Sequence, residues 1–376
     1  MRHFLDTIKI KFSTNSATSF VQDLKRQVNT YFEGRAISTK ANAQMVHKTV
    51  TMLVLTFVPY ALIMTNLLSV WEMWGLAFIM GLGVAGIGFS IAHDALHGAY
   101  SSNARVNYIL GLTFELLGAS SYLWKIKHNV IHHTYTNIHG IDEDLEVSPF
   151  LRLSPNSQHR TFQKYQHFYA FIAYGFSTLH WVFLKDYVNI LKRDLGPYRN
   201  ISHPAKQMAL LIVMKIIYYL YMIVLPLLFL DITWWQFVIG FTTVHITASI
   251  ILGVVFQLAH VVEGPAHYDS EDVTFTKDAW MVHEMKTTSN FGRYNKLLSW
   301  YVGGLNFQIE HHLFPKICSI HYPAISSIVE RVAKVHGIPY HHQATLWSAI
   351  ASHYRMLKWL GNPVLHNQPT ITRSDI

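Results

Sequence analysis

The chain has 376 residues, 51% hydrophobic and only 14% charged, and carries a net charge of +8. Its long uncharged runs point to a membrane protein rather than a large soluble core, and the modest positive charge is distributed as membrane topology requires, which argues against nucleic-acid binding. The single cysteine, Cys318, excludes an intramolecular disulfide and any cysteine-based zinc or iron–sulfur site, while 24 histidines outnumber the 22 carboxylates and suggest metal.

Residues 1–45 read as a basic, partly helical arm without the apolar core of a cleavable leader. A bilayer-crossing helix needs roughly 20 mostly apolar residues. Two such runs follow, 49–68 and 74–92, and a second pair occupies 208–230 and 234–259. Lys215 lies inside the third run and is expected to snorkel to the near surface. The connectors SVWEMW and DITW contain no Lys or Arg, so both turns are expected outside and the remainder in the cytoplasm.

Between the pairs, 106–124 is apolar but contains Glu115, and reads as re-entrant or buried against the spans. The aromatic segment 165–184, between Lys164 and Lys185, suits the membrane interface, although hydropathy alone leaves crossing open. The pattern Gly81-x-Gly83-x-x-Gly86 matches a dinucleotide fingerprint only formally. It lies in an apolar helix after no strand, so close helix packing, or a slot for a thin ligand, is expected there. After residue 315 the chain becomes amphipathic, with Pro323 and Gly337 bounding one cap helix and a second ending near Gly361. Residues 46–345 thus form a membrane domain, and 346–376 a C-terminal cytoplasmic helix and tail. The fold class is all-α, with about four spans, interfacial helices and a cytoplasmic helical cap.

Histidines cluster at the span ends. In HDALH, His93 and His97 stand four apart and share one helical face. HNVIHH repeats that spacing with His128 and His132, and adds His133 turned about 100 degrees away on an α-helix. QIEHH gives His311 and His312 three and four residues after Gln308. His260 ends the fourth run at about the depth of His93. Imidazole suits Zn, Cu, Fe and Ni, and one zinc takes four ligands, so eight histidines imply two metals while leaving the element open. Asp94, Asp142, Asp144 and Glu310 are placed to orient imidazoles from behind. The doublet His341–His342 lacks a third partner. His139 and His283 are isolated, and His47, His167, His180 and His245 have no companion at ligand spacing.

HDALH, HNVIHH and QIEHH together resemble the histidine boxes of membrane fatty acid desaturases, with Gln308 resembling the front-end, acyl-lipid or acyl-CoA branch. HHTYTNIHGIDEDLE and HEMKTTSNF extend the resemblance over most of 45–345. It implies four spans, a cytoplasmic di-iron site, and oxygen-dependent insertion of a cis double bond into an acyl chain with two electrons from a separate donor. It carries over His93, His97, His128, His132, His133, His260, His311 and His312 as iron ligands, with Gln308 at a position often filled by His. Some relatives have an Asn preceding the fourth-span histidine; here Phe256 and Gln257 stand there. The HPGG mark of a fused cytochrome b5 domain is not found, HPAK at His203 standing in the wrong place for it, so electrons are expected from ferredoxin, rubredoxin or free cytochrome b5 with its reductase. No bound NAD, flavin or haem is expected, and a bacterial inner membrane is the expected location.

A related hydroxylase, or an alkane or carotenoid oxygenase, would use similar chemistry. A histidine-rich metal transporter would need His or Asp in mid-span, where only His245 stands.

Overall fold

A computed structural model describes residues 6–7, 10–13, 18–145, 149–270, 275–276 and 278–362. Most of the first 17 residues of the N-terminal arm and the tail from 363 onward lie outside them. Four helices are long and apolar enough to cross a membrane: α2 (Ala43–Met64), α3 (Val70–Leu96), α5 (Ala205–Phe229) and α6 (Trp234–His260). The helical caps α1 (Thr18–Gly34), α9 (Tyr322–Val335) and α10 (Leu346–Leu360), with α7 (Trp280–Thr287) and the short α8 (Gln308–Leu313), gather at the histidine end. Described strands are short two-stranded pairings.

Three of the four spans begin where side chains satisfy free backbone donors. Asn42 accepts from the Met45 amide at the start of α2, and Ser69 with Glu72 forms a capping box at α3. Thr233 and Gln236 do the same for α6. The two tight turns are tied together, since Asn66 Nδ2 donates to Asp231 Oδ2 at 2.7 Å and the Asp231 amide donates back to Asn66 Oδ1 at 3.0 Å. On α2, Val46, Val50, Val54 and Val58 form an exposed apolar stripe with no water-compatible purpose, as expected of a lipid-facing surface. Gly81 and Gly83 let α3 approach its neighbours. A Cβ at Gly81 would lie 2.8 Å from the Val244 carbonyl oxygen of α6, and one at Gly83 2.7 Å from the Thr56 amide of α2. The glycine pattern therefore serves helix packing.

The two ambiguous segments both break up. Residues 106–124 lie across three short helices, with a left-handed turn at Gly118 (φ 81°). Glu115 is buried and accepts from the Ser121 amide at 3.1 Å. Residues 165–184 contain α4 (Gln166–Tyr174), a helical turn at Ser177–His180 and part of a π-helical turn at Trp181–Lys185. This broken run lies against α6, where Gly175 meets Ile246 and Ile250.

Lys215 does not snorkel. It is 3% exposed and donates to the carbonyls of Gly118 (2.7 Å) and Val182 (2.9 Å), with Asp186 Oδ2 at 3.0 Å. Asp186 in turn accepts from the Ser120 amide and the Trp181 indole, so one buried ion pair binds α5 to both broken segments. A carboxylate close at hand neutralises the ammonium where it stands, and removes the reason to reach for water. Lys215→Met strands Asp186 and should lower stability by about 3–5 kcal/mol. Asp186→Asn added to it should recover part of the loss. Thermal melting in detergent checks both, and an unchanged melting temperature for Lys215→Met would count against the pair.

Candidate metal centre

The histidine boxes meet where α3, α6, α8 and the π-helical turn Lys125–His132 converge. π-Helical turns immediately precede the first box, over Ile87–Ala92, and carry most of the second. Such turns widen the helix and recur at functional sites. In the second box the His133 amide bonds the His128 carbonyl, five residues back, at 3.0 Å. That spacing brings His133 Nε2 to 3.3 Å from His128 Nε2, where an α-helix would have splayed the two rings apart.

Two groups result. Ligand atoms of His93, His97, His128 and His311 all lie within 4.8 Å of one another, and so do those of His132, His260 and His312. His133 bridges them, its ring centroid 4.5 Å from His311 and 4.4 Å from His312. His93, His128, His132, His133, His260, His311 and His312 are buried. His97 Nε2, His132 Nε2, His260 Nε2, His311 Nε2 and His312 Nε2 have no hydrogen-bond partner, nor do His93 Nδ1 and His133 Nδ1. Buried polar atoms are nearly always paired, so converging orphaned nitrogens fit bound cations and fit little else.

The opposite nitrogens are held. His132 Nδ1 donates to Asp142 Oδ2 at 3.0 Å, His260 Nδ1 to the Thr287 carbonyl at 3.2 Å, and His312 Nδ1 to Glu284 Oε2 at 2.7 Å. All three partners accept, which fixes the proton on Nδ1 and leaves the Nε2 lone pair for a metal. His311 Nδ1 shares a hydrogen bond with the Tyr322 hydroxyl at 3.3 Å. Burial and neighbouring imidazoles push His97, His128, His133, His311 and His312 well below the ordinary histidine range, so each is neutral. Burial acts the same way on His132, but the Asp142 carboxylate outweighs it and lifts that ring to about 9.

Of the four carboxylates expected to orient imidazoles, Asp142 touches one directly. Asp144 Oδ2 stands 3.8 Å from His132 Nδ1 and 4.0 Å from His128 Nδ1. Asp94 Oδ1 stands 3.7 Å from His93 Nδ1, and its Oδ2 accepts from the Ser319 amide and hydroxyl at 3.0 and 2.9 Å, pinning the chain after the third box against the first. Glu310 accepts from Asn290 and Tyr340, both at 2.8 Å. Gln308 lines a cavity beside His311. Glu284 was missed by sequence reasoning, although it lies within HEMKTTSNF. It is fully buried, also accepts from Thr136 Oγ1 at 2.8 Å, and its pKa is pushed well up by that burial. Phe256, four residues before His260, packs its ring 5.4 Å from that of His132.

Several of the remaining histidines have other occupations. His283 Nε2 donates to the Thr136 carbonyl at 2.8 Å, and His139 Nδ1 lies 3.3 Å from Ser157 Oγ. His245 lies between Thr178 and Tyr218, His341–Gln343 forms a strand beside Ser289–Phe291, and His203 meets the Tyr122 hydroxyl.

A cavity of about 620 Å³ passes this centre. Lys127, Asp144, Lys185 and Asn189 form its polar part, and His93, His128 and His311 flank it. It continues between α3 and α6 along Val84, Phe89, Leu252 and Phe256, with Phe176 and Trp181 from the broken aromatic segment.

A family model described as fatty acid desaturase matches residues 69–344. An sn-1 linoleoyl-lipid 6-desaturase of Arthrospira platensis is 36% identical over 352 residues, covering 94% of this chain and 95% of its own length. A protein of the same name from Synechocystis is 34% identical, covering 94% of this chain and 98% of its own length. An acyl-lipid (8-3)-desaturase of Physcomitrium patens is 32% identical, with 94% and 74% covered. The histidine boxes, the four apolar helices and a match over most of the length make this chain a member of the fatty acid desaturase family.

Proposed function

We propose that this desaturase inserts a cis double bond near the sixth carbon of an acyl chain esterified in a membrane lipid, at two iron ions held by the histidine groups. The observation that carries this reading is the long apolar cavity flanked by His93, His128 and His311. The names of the two cyanobacterial relatives support the lipid-borne chain and the position.

His93, His97, His128 and His311 would hold one ion, and His132, His260 and His312 the other, with His133 between them. When bound, the irons supply the dioxygen-dependent oxidation that takes two hydrogens from adjacent methylenes. The chain's own task is position. Asp142, Glu284 and the Thr287 carbonyl fix the imidazole tautomers, and Tyr322 steadies His311. Asp94 and Glu310 act one layer further out, locking the first and third boxes to each other and to the 289–291 strand. Trp124, stacked 4.3 Å from His128, and Phe256 keep water from the reacting carbons. Gln308 faces the cavity and is assigned to the substrate side rather than to the ligand set. The apolar walls hold the chain so that one pair of methylenes lies by the histidines.

At the polar end, Lys127 pairs with Glu143 at 2.7 Å, and the Lys185 ammonium lies 4.8 Å from the centre of the Trp181 ring. Burial and the neighbouring Lys127 pull Lys185 down to about 8. This rim suits an ester and its headgroup. The Lys/Arg-free turns support a cytoplasmic histidine end and cytoplasmic termini, and a bacterial inner membrane is the location we propose. Electrons would come from a separate ferredoxin, rubredoxin or cytochrome b5 docking on that basic face.

Mass spectrometry of fatty acids from cells given linoleoyl lipid and a compatible donor tests the activity. A new double bond at the sixth carbon should appear with the intact protein and vanish with His311→Ala. A hydroxylated product, or no product from iron-loaded protein with a competent donor, would contradict it. Glu284→Gln should fold normally yet weaken iron retention about 10–100-fold in chelator competition. Unchanged retention would remove Glu284 from the positioning role.

A further inference from the structure

Two cavities share part of their lining. The second, about 350 Å³, lies between the other ends of the spans, lined by Trp71, Trp74, Leu230, Trp235 and Phe237. Three residues line both cavities: Met80 of α3, Met222 of α5 and Val244 of α6. All three are buried, and pack in one cluster with Ala77, Val182 and Tyr218.

Their depth is set by helix geometry. Thirteen residues separate Met80 from His93, and thirteen separate Val244 from Gln257, which is about 20 Å at about 1.5 Å per residue. An acyl chain with its reacting carbons at the histidines and its ester at the polar rim therefore directs its methyl end toward these three side chains. Beyond them the space continues and stays apolar, with Gln236 the one amide along it.

We propose that Met80, Met222 and Val244 form the end wall of the acyl site and set the longest chain accepted on the methyl side of the new double bond. This rests on the reading of the large cavity as the acyl site. Met222 is the adjustable part of the wall. It lies in a π-helical turn, Leu220–Val224, and its unbranched thioether side chain re-packs more freely than the branched Val244. The second cavity is then an annex that a longer chain enters once the wall is opened. Gly240 lines that annex alone, and a Cβ built there meets nothing within 4 Å.

The test supplies cells with linoleoyl chains and with acyl chains two and four carbons longer, and measures the ratio of long to linoleoyl products. Met222→Ala should raise that ratio about tenfold, the scale of a methylene or two in an apolar pocket, without moving the double bond relative to the ester. Met222→Ala with Gly240→Leu should restore the original ratio, because the leucine grows into the annex. Core truncations destabilise, so Val244→Ala opens the same wall from another helix as an independent variant. Wild-type protein that desaturates linoleoyl chains, with an unchanged ratio in both opened variants, would overturn the wall. Wild-type protein that makes no unsaturated product would overturn the acyl reading beneath it.

Discussion

Imidazole nitrogens that converge inside a buried site without protein partners are the constraint around which this molecule is built. Each such atom left unpaired costs on the order of 1–3 kcal/mol, and seven of them stand together. No rearrangement of side chains within the two groups relieves this, because the opposite nitrogen of His132, His260 and His312 is already committed to an acceptor. The fold is tolerable if cations take the lone pairs. The buried carboxylates follow the same logic: Asp142 and Glu284 each hold the Nδ1 of one imidazole, His132 and His312, from behind.

Holding imidazoles from four chain segments at one point requires those segments to be rigid. The spans provide it through close glycine contacts at Gly81 and Gly83, through capped starts, and through the tied turns at Asn66 and Asp231. The Lys215–Asp186 pair extends that rigidity to the broken aromatic segment, which forms one side of the cavity. Metal site and cavity wall are therefore parts of one framework, and the distance between them is fixed by helix rise rather than by loops.

Much of this was legible in the residues. The spans follow from uncharged length, and the boxes from repeated four-residue spacing with doublets. Boxes and quoted motifs together carried the family. The rest depended on features with no local signature. The π-helical turns at 87–92 and 125–132 arise from packing rather than from residue preference, and they decide that His128 meets His133. Glu284 meets His312 across 28 residues, and Lys215 meets Asp186 across 29, so neither pair shows a spacing that could be read along the chain. Asp94 and Glu310 were read from adjacency as groups that orient imidazoles; Asp94 stands 3.7 Å from His93 Nδ1, and the two carboxylates also bind Ser319 and Asn290, partners with no local signature in the sequence.

The central claim is that the two histidine groups each hold one iron. Iron-edge X-ray absorption of the purified full-length protein in detergent, quantified against protein concentration, tests it most directly. The account predicts two irons per chain in a shell dominated by imidazole nitrogen. Folded protein with no iron, with one ion per chain, or with a shell dominated by carboxylate oxygen would contradict it.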